Sequence, residues 1–168
     1  MALAISRVAG IAEPQRRYMW EVLFTRTPSG VSFPEGLKIR ARSTTVPGRT
    51  FDRIELNYLW MNWAVQGREG GDKEIDLEFW EGTDSMTRKA LIEWAKKCGD
   101  WASGVQGSKE EVSGEIVLKL LDGKGNPTRT FVLKNVMVLS VEGSEVSYDA
   151  NDVVVYRARI WYDYFEEQ

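Results

Sequence analysis

At 168 residues, 43% hydrophobic and 28% charged, the chain has enough apolar material for one substantial core and too little length for two. A formal charge of −3 argues against a protein that grips nucleic acid through its overall charge. Histidine is absent and Cys98 is the single cysteine, which removes imidazole bases, His-ligated metals, nucleophile–His–acid triads and any internal disulfide.

Residues 1–16 read as an N-terminal arm, followed by one β domain over residues 17–168. The arm opens on a short apolar run with no basic residue before it, unlike a secretory leader. No window approaches the ~20 apolar residues of a transmembrane helix. Synthesis and folding are therefore expected in the cytoplasm, without a membrane segment. Tyr18–Thr25 is apolar on nearly both faces, which predicts a strand between two covered surfaces. Leu37–Thr44 alternates Leu37, Ile39 and Ala41 against Lys38, Arg40 and Arg42 and predicts a second strand. Phe51–Val65 reads as one long extended stretch, with Gly67–Asp72 as its flexible hairpin tip.

Lys73–Gly99 is the most legible segment. Ile75, Leu77 and Phe79 alternate with Glu74, Asp76 and Glu78, as in a strand with one buried and one polar face. Gly82 breaks the strand, and Thr83, Asp84 and Ser85 offer caps for a helix over about residues 84–98. On its wheel Met86, Ala90, Leu91, Trp94, Ala95 and Cys98 share one face, where an inert, buried thiol is expected of Cys98. Gly99–Gly114 follows as a long polar loop carrying Trp101, of the kind that is usually functional or mobile. Glu115–Leu121 and Thr128–Val136 form a hairpin across residues 122–127. Val138–Val141 and Glu145–Tyr148 flank a bend at Gly143-Ser144, and Asp152–Tyr164 makes a final strand with Arg157 and Arg159 on one face. The sum is a mainly β chain of about eight strands with one flanking α-helix, closed as a β-barrel or folded as a sandwich.

Chemical motifs are scarce. Gly123-Lys-Gly-Asn126 lies between two strands and lacks P-loop spacing, so it reads as a hairpin turn. No calcium loop or zinc set appears, and no metal or cofactor is expected. A carboxylate pair for glycan hydrolysis is always available by chance among 25 acidic residues, so that reading carries little weight. Two features resist a purely structural explanation. Glu74, Asp76 and Glu78 make an acidic row, although a solvated outer face accounts for most such rows. Leu59–Val65 sets Leu59, Met61, Trp63 and Val65 against Trp60, Asn62 and Ala64, an apolar extended segment that something must cover.

The order of these elements resembles the tail tube proteins of contractile-tailed bacteriophages, a superfamily that includes the type VI secretion inner tube. The resemblance runs from about Tyr18 to the end. It rests on Val46-Pro-Gly-Arg49, Ile54-Glu-Leu-Asn-Tyr58, the acidic strand entering the helix at Phe79-Trp-Glu-Gly-Thr83, Ser147-Tyr-Asp149, and a last strand ending in Trp161-Tyr-Asp-Tyr164. None of these is an active-site signature. The resemblance implies a structural, non-enzymatic subunit of the virion tail. Six copies would form a ring whose inner strands join into one barrel, and rings would stack into a tube for DNA ejection. The implied partners are further copies of the chain, the sheath, baseplate and tail-terminator proteins, and the tape-measure protein and genomic DNA in transit. In that setting Glu74, Asp76 and Glu78 are expected to face the lumen, where an acidic wall would repel phosphate. Trp60, Met61, Trp63, Arg68, Ile92, Trp101, Arg157 and Arg159 are the expected contacts between subunits or rings. The alternatives are the inner tube of a contractile injection or type VI secretion system, a baseplate tube initiator and, remotely, the glycan hydrolase.

Overall fold

The computed structural model describes residues 14–71, 73–100 and 102–168. Among these, nine strands and three helices follow in the order β1 (Trp20–Arg26), α1 (Gly36–Arg40), β2 (Ala41–Thr44), β3 (Thr50–Tyr58), β4 (Met61–Gly70), β5 (Glu74–Trp80), α2 (Met86–Cys98), α3 (Lys109–Val112), β6 (Gly114–Leu121), β7 (Pro127–Gly143), β8 (Val155–Trp161) and β9 (Tyr164–Glu167). Every strand pairing is antiparallel.

β7 organises the fold. Its first half lies between β6 and β9, its second half pairs with β8, and β8 and β9 run consecutively along its flank. The bend falls at Asn135, whose φ of 53° is left-handed. Across from it, Asp163 accepts hydrogen bonds from Asn135 Nδ2 (2.8 Å) and pairs with Lys109 (2.6 Å). Two half-sheets result, β1-β6-β7-β9 and β7-β8-β5-β2, sharing one strand. They do not close into a barrel, and the architecture is sandwich-like. Val22, Ile116, Leu118 and Leu133 from the first half meet Ile75, Leu77, Phe79, Ala158 and Ile160 from the second in one core.

α2 lies over this core and inserts Ala90, Leu91 and Trp94. The Trp94 ring is fully buried, edge-on to Phe24 and Phe33, and its indole N–H donates to the Val112 carbonyl at 2.9 Å. Gly114 lies close against that ring, where an added Cβ would sit 2.7 Å from it and 2.6 Å from the Arg26 carbonyl oxygen.

β1 keeps its expected place, with Trp20, Val22 and Phe24 on the core and Glu21 and Leu23 on its other face partly covered, and among the described strands it pairs with β6 alone at the sheet edge. Several sequence expectations are corrected. Leu37–Arg40 belongs to the short helix α1, with Leu37 buried and Ile39 exposed, and only Ala41–Thr44 is strand. Gly99–Gly114 is partly built: Asp100 accepts from the Ser103 hydroxyl (2.6 Å), and α3 carries a Ser108/Glu111 capping box. Glu145–Tyr148 is not a strand, because β7 continues to Gly143 and residues 144–154 form a connection to β8. The last long strand divides into β8 and β9 at Tyr162-Asp163, which follows the bend in β7.

Candidate assembly surfaces

The outer face of the half-sheet β7-β8-β5-β2 carries the charged residues. Glu74, Asp76 and Glu78 stand directly opposite Trp161, Arg159 and Arg157. Alternation sends Ile75, Leu77 and Phe79 into the core and leaves the acids outside. Glu78 Oε1 accepts from Arg157 Nε (3.0 Å) and Nη2 (2.5 Å), and its Oε2 accepts from the Ser43 hydroxyl (2.8 Å). The Arg157 and Ser43 hydrogen bonds hold the Glu78 carboxyl below its ordinary value, and Glu78 in turn raises Arg157. Arg159 lies 3.8 Å from Glu74 and 3.7 Å from Asp76. The acids and the two arginines expected from the sequence therefore form one cross-strand ladder. Arg42 and Glu142, which sequence reasoning did not single out, line a shallow groove on this face with Glu78 and Arg157.

Both outer edges of this half-sheet are open. Among the described strands β2 pairs with β5 alone, and the Met137–Gly143 part of β7 pairs with β8 alone, with the Val138 backbone also bonded to Cys98. β6 stops pairing with β7 at Val136. Unpaired backbone donors and acceptors along such edges are a template for another strand.

The second surface is the β3–β4 hairpin, which forms a separate two-stranded sheet. The turn is Leu59-Trp60, with Leu59 at φ 52°, and Tyr58 opposite Met61. The expected tip at Gly67–Asp72 is corrected. Asp72 lies outside the described residues, and Gly67 and Arg68 instead form a bulge opposite Asp52. The Asp52 backbone and side chain fold across Gly67 and Gly70 so closely that a Cβ at either would lie within 3 Å of them. Arg68 is exposed in this bulge. Beyond the bulge the two faces separate by chemistry. Ile54/Val65, Leu56/Trp63 and Tyr58/Met61 pair on one face, and Arg53/Gln66, Glu55/Ala64 and Asn57/Asn62 on the other. Every side chain of the apolar face is exposed, Trp63 by 69% and Trp60 at the tip by 87%. Ile92 is partly covered on α2, and Trp101 lies outside the described residues.

A third cluster joins β5, α1 and α2: Asp84 was among the caps the sequence offered, and Glu81 and Arg40 were not. Glu81, at the end of β5, reaches the start of α2 and accepts from the amides of Thr87 (3.3 Å) and Arg88 (2.8 Å). Asp84 accepts from the Met86 amide at 3.2 Å and from the two terminal Arg40 guanidinium nitrogens, at 2.8 and 2.6 Å. Arg40 and the Met86 amide depress Asp84 to about 2. A side chain at Gly82 would strike the Arg40–Asp84 fork. The Glu81-Gly-Thr-Asp84 sequence is therefore a capping device that locks α1 to the strand–helix junction. Cys98 is half buried, and burial raises its thiol above the ordinary range. Among the described residues no group of three or more His, Cys, Asp or Glu is arranged to hold a metal ion.

Solved structures with this fold come from contractile injection machines. A chain in the cryo-EM structure of the anti-feeding prophage cap, a tube-terminating cap, superposes with a TM-score of 0.69 at 15% identity, covering 100% of this chain and 99% of that one. A chain of the PVC sheath/tube terminator in the extended state gives 0.69 at 16% identity, over 95% and 99% of the two chains. One from the PVC sheath–tube complex in the extended state gives 0.64 at 16% identity, over 98% and 97%. No protein-family model matches the sequence, and no curated protein does. The fold is that of tube and terminator components, as the order of sequence motifs implied.

Proposed function

We propose that this chain is a structural subunit of the inner tube of a contractile tail, in which six copies form a ring and rings stack into a conduit. The observation that carries this reading is the unfinished β structure. One half-sheet ends in two open edges, and a hairpin holds a row of aromatic and aliphatic side chains in solvent. An isolated two-stranded hairpin is marginal in water, and burying its apolar face against another copy removes that cost. A head-to-tail contact that repeats without closing generates a filament, and one that closes generates a ring. The edges suit the ring, and the hairpin suits the joint to a neighbouring copy or ring. Trp60, Met61 and Trp63 would then lie in that joint.

The charged face of β7-β8-β5-β2 would line the bore, with Glu74, Asp76 and Glu78 toward it. Four carboxylates (these three and Glu142) share that face with three guanidiniums (Arg42, Arg157 and Arg159). A passage for DNA works when its cations are not available to phosphate. Ion pairing within the ladder achieves this for Arg157 and Arg159 with little net charge. A second reading, the inner tube of an injection system carrying protein, is supported by the likeness to chains from the anti-feeding prophage and PVC assemblies.

Electron microscopy of the purified chain at rising concentration tests the proposal. Rings or tubes with a central bore are expected, and a chain that stays monomeric under all assembly conditions overturns it. Particles that hold nucleic acid favour the DNA conduit over the protein one.

A further inference from the structure

The two open edges of the charged half-sheet differ in sign. β2, Ala41-Arg-Ser-Thr44, contains one charged residue, Arg42. The open part of β7, Met137–Gly143, also contains one, Glu142. Both side chains are exposed, and neither makes an ion pair within 4.0 Å among the described residues. Between them Glu78 and Arg157 are paired across the interior strands, in register with Ser43 on one side and Glu142 on the other. The charges therefore alternate across the sheet as Arg42, Glu78, Arg157, Glu142. The middle of the row is a close ion pair, and the two end charges lie beside it without one.

Strand direction makes the ends compatible. β7, β8, β5 and β2 alternate in direction, so the first and last of four strands run oppositely. When a second copy is set beside the first by rotation, its β7 edge lies antiparallel to the β2 edge of its neighbour, which is the pairing these strands already use. We infer that Arg42 of one copy pairs with Glu142 of the next, so that the alternating row continues unbroken from copy to copy and fixes which edges meet. This rests on the proposed ring. Because each edge carries a single charge, a shift in register along the strands changes the reach of Arg42 without changing its partner.

The same contact resists the two unwanted pairings. A β2 edge meeting a β2 edge would oppose two arginines, and β7 meeting β7 would oppose two glutamates. Charge therefore selects the head-to-tail order, with backbone pairing supplying the adhesion.

Charge reversal tests this. R42E and E142R are expected to raise the concentration for half-maximal assembly by about fivefold to tenfold each at low salt, with the difference shrinking in about 1 M salt. The double variant R42E/E142R assembles better than either single variant, although the reversed charge at position 142 then faces Arg157 within its own chain; a double variant no better than the singles overturns the pair. An equimolar mixture of the two single variants also assembles, because every contact between unlike copies is then complementary. Circular dichroism and thermal melting establish that each variant folds. Single variants that assemble like wild type, or a mixture no better than its components, overturn the Arg42–Glu142 pair while leaving the ring reading standing. A wild-type chain that forms no ring removes both.

Discussion

The Trp63→Ala variant isolates the apolar face of the hairpin from the rest of the molecule. A tryptophan offers about 250 Å² of surface, and Trp63 is 69% exposed, leaving ~170 Å² to be covered by a neighbour. At ~25 cal/mol per Å² this is worth at most ~4 kcal/mol per copy. Aromatic anchors at protein interfaces commonly cost about 2–4 kcal/mol when truncated. The critical concentration for assembly should therefore rise by roughly 30-fold or more, since 1.4 kcal/mol is about tenfold. Within the chain Trp63 stands opposite Leu56 on the hairpin, and such a cross-strand pair is worth roughly 0.2–1 kcal/mol. Urea unfolding of the monomer should hardly move. Light scattering against concentration reads the first quantity, and tryptophan-independent circular dichroism reads the second. Asn62→Ala, on the polar face of the same strand, is the control and should leave assembly unchanged. If Trp63→Ala assembles at the wild-type concentration, the hairpin face is not a joint and the proposal loses its main support.

Three further outcomes follow from the interior. Glu81→Ala leaves the Thr87 and Arg88 amides without their acceptor and should cost about 0.5–2 kcal/mol, with faster hydrogen exchange at those two amides. Gly114→Ala forces a methyl group against the Trp94 ring and the Arg26 carbonyl and should destabilise by about 1–3 kcal/mol in urea titration; an unchanged midpoint would contradict the close packing. The carboxyls of Glu78, Asp84, Glu115 and Asp163 are all held below their ordinary values by cationic partners. Folding therefore gains from their ionisation above about pH 4 and loses that gain as pH falls toward about 2. The urea midpoint should decline over that interval, and a midpoint that rises on acidification refutes the assignment.

Periodicity made part of this molecule legible. The alternation around Ile75, Leu77 and Phe79 and the wheel from Met86 to Cys98 both correspond to buried faces, because one side of each element meets a single core. The ladder of acids and arginines was visible as two polar faces, and the register then brought them opposite each other. The hairpin turn was hidden because Leu59 adopts a left-handed conformation without being Gly, Asn or Asp, the residues that usually announce one. The glycines that suggested a tip serve instead to admit Asp52 at a bulge. Glu81 escaped notice because it caps a helix from the preceding strand, and its neighbour Arg40 arrives from 44 positions before Asp84. The alternation of Leu37, Ile39 and Ala41 matched a strand, whereas the segment begins in a turn bonded from Leu37 and Lys38 back to Pro34 and Glu35, which leaves Leu37 buried and Ile39 exposed. Arg42 and Glu142 gave no signal, since their meaning lies in which strands stand at the edge.

The bent strand β7 has a mechanical meaning as well. It is 17 residues long and hydrogen-bonded on at least one flank for most of its length. Because the same ribbon belongs to both layers, a load applied to one is carried along covalent bonds into the other rather than across a slip plane of side chains. A wall made from such pieces would bend or twist as a whole, and its layers would not peel apart when a surrounding structure shortens around it.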